Sequence, residues 1–220
     1  MERIKAVLFD LDNTILDRTR TFSGFAEAFL TTHFGHVEDR RAMLRRIVEL
    51  DEDGYKDRHA LFTELLDELP WQVRPLHSEL MAHWKTGYAS SSVLADQARE
   101  VIERAKSKYR IGLVTNGTTQ VQYGKIDHLG IRGDFDLILV SEEAGVKKPD
   151  ARIFGLAADG LGVRPEECLF IGDHPVNDIE GAARCGMATI WVQANQPWRD
   201  GLEAKPLHAI KRLNELLTLL

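Results

Sequence analysis

The chain has 220 residues, 44% of them hydrophobic and 28% charged, enough to bury one substantial core and a smaller second one. Its net charge of −6 argues against a binding surface for a nucleic acid polymer, whose phosphates are held by clustered Lys and Arg. No stretch approaches the roughly eighteen uninterrupted apolar residues of a membrane span, and the N-terminus runs into a strand pattern instead of a signal peptide, so a soluble, cytoplasmic protein is expected.

The first element is the apolar run Ala6-Val7-Leu8-Phe9, which ends in Asp10 and Asp12. A buried strand looks like this when it delivers acids to a sheet edge. Two carboxylates there are costly unless something cationic meets them, which points to a metal ion, a catalytic role or both; acids capping a strand in solvent are the competing reading.

From about Phe22 to Gly87 the apolar residues recur at three- and four-residue spacing, as in Phe22, Phe25 and Phe29 or Leu76, Leu80 and Trp84. The pattern predicts four helices, with breaks at Gly35, at 51–54, and at Pro70 and Pro75. It describes a helical subdomain over 17–88, its aromatics in its core, inserted into an α/β domain made of 1–16 and 89–220. The most polar interruption is 51–58. It combines Gly54, Tyr55, Lys56 and Arg58, which could face a ligand or could equally be a solvated loop. Arg18 and Arg20, where the chain enters the helical block, are further candidates.

Beyond about Leu94 helices and strands alternate. A helix over 95–108 precedes the strand Ile111–Val114, which ends in Thr115-Asn116-Gly117; a helix through Val121, Ile126 and Leu129 follows, then a strand over 135–140. The loop Gly145-Val146-Lys147-Lys148-Pro149-Asp150 opens a helix through Ile153 and Phe154. The strand Cys168–Ile171 ends in Gly172-Asp173, and a helix is expected over 178–185. A fifth strand at 188–192 and a terminal helix from about Ala209 complete the chain. Five apolar strands alternating with helices imply a Rossmann-like parallel sheet covered on both faces. Cys168 and Cys185 lack metal-ligand spacing and read as small buried hydrophobes.

Ligands in such sheets bind at the carboxyl ends of strands, where this chain repeatedly puts polar groups. Asp10 and Asp12, Thr115 and Asn116, and Asp173, with a loop lysine, supply carboxylates for a hard cation, a hydroxyl and N–H groups for phosphate oxygens, and a fixed positive charge.

The four ordered segments Asp10 to Thr14, Thr115 to Gly117, Gly145 to Asp150 and Gly172 to Asp178 resemble the motifs of the haloacid dehalogenase (HAD) superfamily, and the helical insertion resembles its C1 cap. Gln122 to Leu129 and Lys148 to Phe154 look most like its small-molecule phosphatases. The resemblance implies Asp10 as a nucleophile that becomes an aspartyl phosphate, and Asp12 as general acid and then general base. Mg²⁺ would be held by Asp10, the Asp12 carbonyl and Asp173, with Asp178 supporting the metal waters or Lys148, or acting instead as a helix cap. Thr115 and the Asn116 backbone would grip the phosphoryl group. Lys148, preferred over Lys147 because it directly precedes Pro149, would offset charge without a part in folding. Asp12 argues against dehalogenation, since halide needs no proton. A phosphomutase of the β-phosphoglucomutase type is the alternative activity, and a binding or regulatory scaffold the non-enzyme alternative. The implied partner is a small phosphorylated metabolite, a nucleotide or sugar phosphate, with Tyr55 and Arg18 as candidate contacts in the cap. The chain is a monomer or a homodimer on this reading.

Overall fold

A computed structural model describes residues 3–220, which separate into two compact units: the chain up to Asp17 together with Leu94–Leu220, and Arg18–Val93.

The first unit is built on a sheet of six parallel strands in the order β3-β2-β1-β4-β5-β6. β1 (Ala6–Phe9) lies between β2 (Arg110–Thr115) and β4 (Cys168–Gly172), with β3 (Leu137–Val140) outside β2 and β5 (Ala188–Val192) outside β4. Alternate side chains serve opposite faces, as the pleat requires. Val7, Phe9, Ile111, Leu113, Leu169 and Ile171 enter one core, while Ala6, Leu8, Val114, Cys168 and Phe170 enter the other. Both faces are covered, so these strands read as unbroken apolar runs. Cys168 is buried as expected, whereas Cys185 is only partly so.

The sixth strand, β6 (His208–Ile210), corrects the expectation of five strands and of a helix from Ala209. It pairs with β5 through Ile190↔His208, Trp191↔Ala209 and Val192↔Ile210. Only Ile210 of its three residues is buried, because an edge strand this short has too few inward positions to print an alternation on the sequence. The terminal helix is the single turn α10 (Leu216–Leu219), anchored by the buried Leu216. The helix expected over 178–185 is also altered: a wide π-type turn, Pro175–Glu180, comes first, and only Gly181–Arg184 (α9) is α-helical.

The second unit contains α1 (Arg18–His33), α2 (Arg41–Asp51), α3 (Arg58–Glu68) and α4 (His77–Ser90). Its core is aromatic. Trp84 stacks on Tyr88 with ring centroids 3.9 Å apart, and Phe25 meets Trp84 edge-on at 5.0 Å. The remaining helices of the first unit are α5 (Ala98–Lys106), α6 (Thr119–His128), the short α7 (Ser141–Ala144) and α8 (Ala151–Gly160). No helix among the described residues is long and apolar enough to cross a membrane.

Candidate active site

Register brings the site together. Phe9 pairs with Leu113 on one side and Ile171 on the other, so Asp10, Thr115 and Asp173 emerge at one edge of the sheet within a residue or two of one another. The chain winds from β1 outward to β3 and then returns to β4, which makes the β1 carboxyl end the switch point where such sheets open a crevice.

Beyond β1 the backbone curls around one carbonyl: the Ile15 and Leu16 amides donate to Leu11 O at 3.0 and 2.8 Å. The curl passes through Asn13 at φ 60, a left-handed conformation that Asn tolerates better than most residues. On the opposite side of the site, Gly172 lets Asp178 come close, since a Cβ at that position would stand 2.5 Å from Asp178 Oδ2. The same Oδ2 accepts from the His174 amide at 2.9 Å, and His174 Nδ1 accepts from the Val176 and Asn177 amides at 3.1 and 3.0 Å. These bonds fold the turn after β4 back on itself. The Asp173 carbonyl is held by Trp191 Nε1 at 2.8 Å.

Asp10, Asp173 and Asp178 are all buried, and each offers an oxygen within 4.8 Å of the others. Lys148 answers two of them, with Nζ 2.5 Å from Asp10 Oδ1 and 2.6 Å from Asp178 Oδ1, above the face of Phe170. Burial pushes the Asp10 carboxyl up to about 7 in spite of the pull of Lys148, with Asp178 adding to the rise. Burial would lower the Lys148 ammonium, but Asp10 and Asp178 outweigh it and hold it above its ordinary range. Three buried carboxylates converge here and offer hard oxygen ligands to one point. A hard divalent cation fits that oxygen set, and its field would pull the Asp10 carboxyl back down.

The Asn116 side chain ties two loops together. It trades two hydrogen bonds with the Lys148 peptide, donating to Lys148 O at 3.0 Å and accepting from Lys148 N at 2.9 Å, so the β2 loop fixes the lysine loop. Lys147 is exposed, while Lys148 is not. Thr115 and Asp12 meet two side chains to which the sequence reading gives no role. Gln122 Nε2 lies 2.5 Å from Thr115 Oγ1 and 3.1 Å from Asp12 Oδ2, and Lys125 Nζ lies 2.8 Å from both Asp12 oxygens. A glutamine and a lysine one turn apart in the helix after the Thr115 loop are the available signal, and they were hidden beside Ile126 in an apparently ordinary amphipathic helix.

The 51–58 segment is a less open structure than its composition suggests. Asp51 is buried and accepts from Arg18 at 2.6 Å and Arg58 at 2.5 Å, while Lys56 pairs with Glu64 at 2.7 Å. Arg18 thus frames this segment from within the helical unit. Tyr55 is 55% exposed.

The haloacid dehalogenase-like hydrolase model matches residues 4–186, most of the chain. The chain belongs to this family. It is 31% identical to glyceraldehyde 3-phosphate phosphatase of Methanopyrus kandleri over 200 residues, covering 86% of this chain and 84% of the relative. It is 28% identical to N-acylneuraminate-9-phosphatase of Mus musculus, covering 94% and 89%. Among solved structures, the HAD-hydrolase YfnB from Bacillus subtilis, crystallised bound to magnesium, superposes with a TM-score of 0.80 at 25% identity, covering 99% of this chain and 98% of that one. The HAD enzyme described here is a hydrolase of phosphoric monoester bonds.

Proposed function

We propose that this HAD hydrolase is a magnesium-dependent phosphatase of small phosphorylated metabolites that works through an aspartyl phosphate on Asp10. The observation that carries the reading is the buried Asp10–Lys148–Asp178 arrangement beside Asp173 at the switch point of the sheet. An Asp10 oxygen attacks phosphorus in line as the ester P–O bond breaks, and the Asp12 carboxyl gives its proton to the departing alkoxide. The Asp12 carboxylate then takes a proton from the water that displaces Asp10 from phosphorus. Thr115 and the Asn116 backbone hold phosphoryl oxygens, and Lys148 offsets charge on Asp10 and the phosphoryl group. Asp10, Asp173 and the Asp12 carbonyl would hold Mg²⁺, supported by Asp178. The ion would neutralise phosphoryl charge during transfer.

The two named relatives act on phosphates carried by primary alcohols, which favours an alkyl phosphomonoester here. The test is phosphate release from glyceraldehyde 3-phosphate, N-acetylneuraminate 9-phosphate, phosphoserine, nucleoside monophosphates and 4-nitrophenyl phosphate, ranked by kcat/KM. Turnover should vanish with chelator and return with Mg²⁺; undiminished turnover in chelator would contradict the metal requirement.

Within the helical unit, Tyr55 is the proposed contact for the leaving group, with Arg18 setting the frame of its loop through Asp51 and Asp53. Tyr55→Ala should reorder the esters by several-fold in kcat/KM while 4-nitrophenyl phosphate is hydrolysed nearly as before. Equal losses on every ester would instead indicate damage to the fold.

A further inference from the structure

Gln122 and Lys125 remain outside the chemistry set out above. Both are on α6 and both are buried, at 2% and 4% exposure. Burying a lysine is costly, so its partner matters. That partner is Asp12, which Lys125 Nζ approaches at 2.8 Å from both oxygens, with Gln122 Nε2 3.1 Å from one of them.

A hydrogen bond fixes how Gln122 sits. Gln122 Nε2 donates to Asp12 Oδ2, so the nitrogen end of the amide faces Asp12. That nitrogen has a second hydrogen, and Thr115 Oγ1 lies 2.5 Å from it. A Thr115 oxygen that accepts from Gln122 keeps its own hydrogen to donate elsewhere. Asp12 itself stands on an irregular loop, with its side chain 24% exposed. A carboxyl so placed would sample several rotamers unless something held it.

We propose that Gln122 and Lys125 are positioning residues: together they fix the Asp12 carboxyl for proton transfer and turn the Thr115 hydroxyl toward the phosphoryl oxygens. The inference rests on the phosphatase reading and deepens it. Charge compensation alone would also explain a lysine beside Asp12, but it gives no reason for one glutamine amide to join the acid to the threonine of the neighbouring strand. The two explanations differ in what they say about leaving groups. A nitrophenolate departs without a proton, whereas an alkoxide needs one at the moment the P–O bond breaks.

The test compares Lys125→Met and Gln122→Met with wild type, with Mg²⁺ saturating. The substrates are 4-nitrophenyl phosphate and the alkyl phosphate of the panel above that wild type hydrolyses fastest. kcat/KM is the quantity to read, because it ends at the first irreversible step and excludes the later use of Asp12 as a base. Placement of the acid predicts that Lys125→Met lowers kcat/KM for the alkyl ester roughly tenfold more than for the aryl ester, a part of the 10²–10⁴ that acid–base catalysis contributes. Gln122→Met should show the same preference together with a raised KM on both esters. Equal losses on the two esters, in whichever variant stays folded by its thermal midpoint, would overturn the inference and leave the phosphatase standing. Failure of wild type to release phosphate from any ester would overturn both.

Discussion

Asp10→Asn should abolish turnover, with a loss on the order of 10⁴-fold or more, because it removes the atom that forms the bond to phosphorus. The fold should survive. Asn has nearly the size of Asp, Lys148 keeps Asp178 as a partner at 2.6 Å, and one of three crowded carboxylates loses its charge. The metal-free variant should therefore melt at or above the wild-type midpoint. Phosphate release and a thermal melt on the same purified sample check both halves, and hydrolysis near the wild-type rate would remove Asp10 from the mechanism.

Lys148→Ala should lower turnover about a hundredfold, the usual loss when a fixed charge aimed at the reacting group is taken away. The structure changes what else is expected of it. Sequence alone suggests a lysine that acts on charge and not on folding, but Lys148 is buried between Asp10 and Asp178. Removing one partner of a buried ion pair costs about 3–5 kcal/mol, since the charges left behind have lost their solvent and their counter-ion. The metal-free variant should consequently unfold at clearly lower denaturant. Lys147→Ala should stay within about 0.5 kcal/mol of wild type, as surface changes do, and keep its activity. Reversal of the two phenotypes would exchange the roles of the adjacent lysines.

The sheet and its strand-end chemistry were legible because the central strands are buried on both faces and stop abruptly at polar residues, as Phe9 does before Asp10 and Ile171 before Gly172-Asp173. The helices of the second unit were legible for a related reason, since Phe22, Phe25 and Phe29 mark one face of α1 at helical spacing. What escaped was set by partners far away in sequence. β6 exists only because β5 offers an edge to His208–Ile210. Lys125 resembles any solvated helix lysine until Asp12, more than a hundred residues earlier, is brought to 2.8 Å from it. Arg18 and Arg58 read as candidate ligand contacts, yet the buried Asp51 collects both. A charged residue's partner is not a local property, so charge is where sequence reading is weakest.

Formation of a phosphoryl bond to Asp10 is the central claim, and rapid acid quenching tests it most directly. The enzyme with Mg²⁺ would be mixed with the best alkyl phosphate of the panel, labelled with ³²P, quenched within a single turnover, digested and mapped by mass spectrometry. The account predicts acid-stable label on the peptide that contains Asp10, absent from Asp10→Asn. Full turnover with no protein-bound label at any quench time, or label on a different residue, would contradict it.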